Sequence, residues 1–305
     1  MASLLPLRMG DDDPVRPFFT TRRGRLLARL ALYGGALGLG LPAAFSQVLV
    51  GTIRQPTSRP PPAYEEIALR SEGLRLRGWL IGGRADRAAV VVAHGLGDSL
   101  ESYEGLASTL QRRGHTVLLL DLRGHGGSEG RTTTLGGRER EDVRAGLRAL
   151  RERGRAGSGT VLFGVSMGAV AVLRAAAQEA DVRAVVAEAP FDTYRASVAH
   201  HARLLYGLPP WLPLIPMSIW VAEWRAGFRA DDVDAVAAAR LVRAPLLAIV
   251  DGADPRMPEA VVRRVFDAHP GPKRLWVAPG APHAGAVFAP GYWTEVTGFL
   301  EASGL

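Results

Sequence analysis

The pentapeptide Gly164-Val165-Ser166-Met167-Gly168 constrains the fold of this chain more tightly than any other stretch. Gly159 to Phe163, before it, reads as a buried strand, and the alanine-rich Gly168 to Glu179, after it, reads as a helix. A serine in so sharp a strand-to-helix turn needs glycines beside it, because the two backbones pass closely. Its hydroxyl then projects above the sheet as a candidate nucleophile. Five residues can match by chance, so the meaning of the motif depends on the rest of the chain. The rest of the chain must supply a base, an acid and backbone donors in the right order.

The flanking pattern supplies a scaffold. Glu66 to Arg70 and Leu74 to Ile81 alternate apolar and polar residues about Gly73, which predicts an antiparallel hairpin at a sheet edge. Ala88 to Ala93, Thr116 to Leu120, Ala184 to Ala187, Leu246 to Val250 and Arg274 to Val277 are short, largely apolar runs. Such runs fit strands buried on both faces of a parallel sheet. Helical patterns lie between them: one reaching Arg113 behind an Asp98/Glu101 capping box, then about Gly137 to Arg153, Glu259 to Ala268 and Tyr292 to Glu301. The alternation predicts the α/β class, with a mostly parallel, doubly wound sheet in a domain over residues 64–305. From Phe191 to Leu241 it lapses, and this stretch reads as a helical cap insertion. Tyr206, Trp211, Trp220 and Trp224 occur there among Pro209, Pro210, Pro213 and Pro216. The four aromatics either line an apolar substrate pocket or pack the insertion onto the domain.

A serine hydroxyl needs a base and a group to orient that base. With the chain order serine, acid, histidine, only His269 and His283 lie late enough. His283 follows the last apolar strand through the turn-rich Ala278-Pro279-Gly280-Ala281-Pro282 and is the expected base; His269 reads as a capping or surface residue. His200 and His201, in the insertion, read as solvated or pocket-lining. After Val250 the chain offers Asp251 and Asp254. Asp254 is the favoured acid and Asp251 reads as a tie within the loop. Chain order nominates the amides of Leu96 and Met167 as oxyanion donors, and Asp121 and Arg123 as structural.

Taken together, His94-Gly95 after the third strand, Asp121-x-Arg123-Gly124-x-Gly126-x-Ser128, the Gly164–Gly168 turn, Asp254-x-x-Met257-Pro258 and His283 resemble the α/β-hydrolase superfamily from Tyr64 onward. Within it the chain looks like bacterial membrane-anchored serine hydrolases grouped with serine aminopeptidase and monoacylglycerol-lipase-like enzymes. The resemblance implies the α/β-hydrolase fold and a Ser166–His283–Asp254 triad cleaving esters or thioesters of lipophilic acyl groups. Val250-Asp251-Gly252 departs from the histidine-glycine pair that relatives often carry, so Asp251 and Asp254 both stay open as the acid. Two other functions compete. One is a peptidase acting on short peptides, with Glu223 as a positional candidate for binding the substrate amine. The other is a non-catalytic scaffold on a hydrolase fold. The chain has no cysteine and no His-Glu-x-x-His, so neither metal nor cofactor is expected.

The amino-terminal region adds a location. Leu30 to Ile53 carries no charge, and Arg22, Arg23, Arg25 and Arg29 precede it. This reads as a transmembrane helix over residues 30–53 behind a basic cytoplasmic segment 1–29, with the catalytic domain outside the cytoplasm. A cleaved signal, with Ala44-Phe45-Ser46 before Gln47, and a buried helix of a soluble domain are the alternatives. Residues 54–63, rich in proline, read as an extended spacer that lifts the domain off the membrane. The net charge is +7, yet Lys273 is the only lysine and the arginines are scattered, so nucleic acid is not an expected partner. The expected partners are the membrane and a small acyl substrate.

Overall fold

The structure is a computed structural model and describes residues 21–305. Most of the expected 1–29 segment therefore lies outside the described residues. Eight strands form one sheet: β1 (Glu65–Ser71), β2 (Leu74–Ile81), β3 (Ala89–Ala93), β4 (Thr116–Leu120), β5 (Thr160–Val165), β6 (Val182–Glu188), β7 (Leu246–Asp251) and β8 (Lys273–Ala278). Their order is β1-β2-β4-β3-β5-β6-β7-β8. Only β2 runs antiparallel to its neighbours; the other adjacent pairs are parallel.

The two-residue period of a strand divides the core. In β3, Val91 and Ala93 join one apolar cluster while Val90 and Val92 join another on the opposite face. The first face is covered by helices α3 (Glu139–Glu152), α4 (Met167–Ala176), α7 (Ala235–Leu241) and α8 (Glu259–Ala268). The second is covered by α2 (Glu104–Arg112) and α9 (Tyr292–Ala302). All of α4 is buried, which its alanines and glycine permit because they let it lie close to the sheet. The expected capping box does not form. Asp98 accepts bonds from the Ser99 amide and the Ser102 hydroxyl, while Glu101 accepts from the Ser58 amide and from Arg77. A 3₁₀ turn, Leu100–Tyr103, leads into α2 instead.

Between β6 and β7 lie α5 (Tyr194–Tyr206) and α6 (Leu214–Ala226), ended by Gly207 and Gly227 at φ 65° and 62°. These two helices stand over the end of the sheet. Helix α7, although inside the same stretch, packs on α4 and α8 in the sheet-covering layer.

The amino-terminal helix α1 runs from Arg22 to Val50 with a π-helical turn at Ala36–Gly40. Its last turns, Leu41–Val50, pack along α6, and Val50 is buried against Ala222 and Ala226. Arg225 donates to the Ala43 carbonyl at 3.2 Å, to Ser46 Oγ at 2.9 Å and to Gln47 Oε1. Phe45 meets Tyr206 edge to face at 5.7 Å. The proline-rich segment that follows does not lead away from the domain. Arg54 donates to the carbonyls of Gly126, Ser128 and Gly130, Gln55 to that of Gly97, and Arg77 to that of Ser58. These long-range bonds hold the segment to the domain surface, where proline content alone reads as a spacer.

Candidate active site

Ser166 sits between β5 and α4 at φ 54° and ψ −114°, a backbone conformation that a residue with a Cβ seldom adopts. The turn closes because its flanks lack side chains. A Cβ on Gly164 would lie 2.3 Å from the Gly168 carbonyl oxygen, and one on Gly168 would lie 2.1 Å from that of Ala93. The Ser166 amide donates to the Glu188 carbonyl at 2.8 Å, which carries the β5–β6 ladder into the turn.

His283 approaches from the loop after β8. That loop is laced to the one after β7: the Gly252 amide donates to the Ala278 carbonyl and the Ala253 amide to that of Ala281. His283 Nδ1 donates to Asp254 Oδ2 at 2.6 Å, which leaves Nε2 to accept from Ser166 Oγ at 3.0 Å. Asp254 Oδ1 also accepts from the Arg256 amide at 2.7 Å. Burial pushes the Asp254 carboxyl upward, but the His283 ring and the amides of Arg256 and Met257 outweigh it, and the net is below the usual carboxylate value. Asp251 does not touch the ring. Its Oδ2 accepts from the Ala284 amide at 2.7 Å and so holds the residue beside the histidine.

Behind this loop stands Glu188, at the end of β6, which the sequence reading passed over. It is 2% exposed, stands beside Asp251, and accepts from the Ala286 amide. Burial first, and the Asp251 charge second, push its carboxyl up to about 8. Burial and the Asp254 charge raise Asp251 to about 6. One proton shared by the pair keeps two carboxyls compatible in this interior. The signal in the sequence was a single acid closing the apolar run Val185-Val186-Ala187.

The loop after β3 forms the opposite side. His94 is buried; its Nδ1 donates to the Gly95 carbonyl at 2.7 Å and its Nε2 accepts from the Leu122 amide at 3.0 Å. Burial and the neighbouring His125 lower it to about 4, so it stays neutral and structural. The amides of Leu96 and Met167 donate to no group among the described residues. Asp121 accepts from the Leu100 and Gly127 amides, and Arg123 pairs with buried Asp142 at 2.7 Å.

Ser166 and His283 open on a cavity of about 490 Å³ lined mostly by apolar side chains. Tyr206 and His201 line it, as do Leu96 and Met167. Trp211, Trp220 and Trp224, expected as pocket residues, do not. They are 78%, 65% and 81% exposed: α6 turns Ile215, Ser218 and Ile219 inward and Trp220 and Trp224 outward, and Trp211 lies in the turn before it. In their place α1 and the residues after it supply Phe45, Val48, Leu49 and Ile53. Glu223 accepts from the Ala230 amide at 2.7 Å and pairs with Arg195, away from the cavity. His269 is buried, not a surface residue, with Nδ1 directed to the Ala239 carbonyl. His200 reaches the Pro255 carbonyl at 2.8 Å.

Residues 84–221 match the family described as serine aminopeptidase, S33. The uncharacterized Bacillus subtilis protein YqkD is 28% identical over 214 residues, 70% of each chain. The uncharacterized Mycobacterium tuberculosis protein Rv2307c is 29% identical over 238 residues, 76% of each chain. Among solved structures, the Pyrococcus furiosus esterase Pf2001 superposes with a TM-score of 0.66 at 25% identity, covering 83% of this chain and 98% of its own. An acylaminoacyl peptidase from Pyrococcus horikoshii superposes at 0.58 and 17% identity, over 78% of this chain and 41% of its own. By strand order, turn geometry and these likenesses, the chain has the α/β-hydrolase fold.

Proposed function

We propose that this chain is a serine hydrolase that cleaves carboxylic esters or thioesters of lipophilic acyl groups through an acyl-enzyme. The observation that carries the reading is His283, hydrogen-bonded to both Ser166 and Asp254 at the floor of an apolar cavity. Ser166 Oγ attacks the acyl carbonyl while its proton passes to His283 Nε2. Asp254 holds the ring and stabilises the imidazolium, and the amides of Leu96 and Met167 receive the oxyanion. Collapse breaks the bond to the leaving alcohol or thiol, which takes the proton from His283. Water then repeats the sequence on the acyl-enzyme and releases the acid. The apolar helix α1 is the membrane anchor in this reading, with its preceding arginines in the cytoplasm and the catalytic face outside.

A fluorophosphonate probe tests the chemistry. The parent is labelled, Ser166→Ala and His283→Ala are not, and ester turnover in both falls by roughly 10⁴-fold or more. A folded but unlabelled parent sinks the hydrolase reading. Glu223, the positional candidate for binding a substrate amine in the peptidase alternative, is engaged away from the cavity. Turnover of aminoacyl amides above that of acyl esters would reverse the preference.

A further inference from the structure

Helix α1 enters the cavity of the enzyme it tethers, and its length fixes the depth at which this happens. A bilayer core about 30 Å thick takes roughly 20 helical residues. Counted from the last arginine, Arg29, a span of that length ends near Leu49. Yet Leu41–Val50 already packs on α6, and Phe45, Val48 and Leu49 already line the cavity of Ser166. The residues after it are stapled to the domain by Arg54 and Gln55, so no spacer separates membrane from catalytic face. Within that span the helix leaves Leu30, Tyr33 and Leu39 exposed, as a lipid-facing surface would be.

The cap carries a matching surface. Trp211, Trp220 and Trp224 point into solvent, and Trp224 adjoins Arg225, the residue that clasps α1. Tryptophan concentrates at the level of lipid headgroups, where an apolar ring with one polar N–H is best satisfied. Leu205 and Tyr206, both lining the cavity, are themselves 56% and 52% exposed.

We infer that α5 and α6 seat in the outer interface of the membrane and that the last turns of α1 form one wall of the acyl site. A bilayer-resident acyl lipid then reaches Ser166 alongside α1 without crossing water. This rests on the anchored-hydrolase reading above. It also favours an uncleaved helix, since cutting after Ser46 would remove Phe45 from the wall and two of the Arg225 contacts.

Two measurements on the full-length chain in phosphatidylcholine nanodiscs test it. With brominated acyl chains, tryptophan emission of the parent drops by about half relative to unbrominated lipid, as expected for rings at the interface. The triple variant Trp211→Ser/Trp220→Ser/Trp224→Ser loses most of that drop; equal quenching in both overturns the docking. The same variant retains p-nitrophenyl acetate hydrolysis within about two-fold but loses roughly ten-fold on p-nitrophenyl palmitate held in the bilayer, about 1.4 kcal/mol of access to the site. Palmitate turnover kept at the parental rate overturns the lipid route. A membrane-bound chain whose mass begins at Gln47 overturns the wall. Failure of the parent to react with fluorophosphonate would instead sink the hydrolase reading, and the quenching result would still decide the docking.

Discussion

Glu188 and Asp251 stand side by side behind His283, and together they accept the amides of Ala284 and Ala286 that shape its loop. The pair faces Asp254, His283, Tyr103 and Tyr292, all within the same buried pocket of polar groups. Its role is positioning, whereas Asp254 touches the ring. Asp254→Asn therefore lowers kcat by about 10³–10⁴-fold. Asp251→Asn keeps an oxygen for the Ala284 amide and lowers kcat by less than about ten-fold. Steady-state kinetics with one ester compares them, and the reverse order would reassign the acid. The pair also sets a pH dependence. Glu188 binds its proton more tightly folded, near 8, than at its ordinary value of 4.5. Between those limits the folded state holds more protons than the unfolded state, so stability falls as pH rises. Thermal melts from pH 5 to 9 show this loss in the parent, on the order of 1 kcal/mol or more, and a flatter profile for Glu188→Gln. A parent profile as flat as the variant's contradicts the shared proton.

The β5–turn–α4 element depends on backbone clearance. In Gly168→Ala the new Cβ meets the carbonyl oxygens of Ala93 and His94 at 2.1 and 2.6 Å, and both are backbone atoms that cannot swing aside. The elbow must move off β3, at a cost of about 3 kcal/mol, with Ser166 displaced from His283. Gly105→Ala, in the exposed first turn of α2 with nothing within 4 Å, gains about 0.5 kcal/mol. Urea melts separate the two; equal effects would mean that helix propensity, not clearance, governs the elbow. Clearance was legible in the sequence because glycines at both flanks of a serine have few other uses. The buried parallel strands were legible too, since burial on both faces leaves uninterrupted apolar runs. The inward face of α6 was not. That helix carries large apolar residues on both sides, Ile215 and Ile219 on one and Trp220 and Trp224 on the other, so periodicity does not say which side meets the cavity. The course of residues 54–63 and the Glu188–Asp251 pair also escaped, because both arise from contacts between segments far apart in the chain.

On the scale of the whole molecule, α1 has exposed apolar first turns and last turns packed on α6, and the two parts are separable by truncation. A chain starting at Leu41 keeps Phe45, Val48 and Leu49 on the cavity and Val50, fully buried, against Ala222 and Ala226. A chain starting at Arg54 loses all four, the Gly51–Thr132 bridge and the bond from the Thr133 amide to the Val50 carbonyl. Burial of a valine alone is worth about 1.5–3 kcal/mol, and each kcal/mol shifts Tm by about 2–4 °C in a domain of this size. The shorter chain therefore melts at least several degrees below the longer one. It also loses preference for long acyl esters over acetate, since one wall of the cavity is gone, while the longer chain keeps that preference although both lack the exposed apolar turns of α1. Calorimetry with an acyl-length series measures both effects. Identical Tm and identical selectivity would show that α1 only tethers the domain; a difference in both makes its last turns part of the catalytic fold, because a passive tether has no reason to set either one.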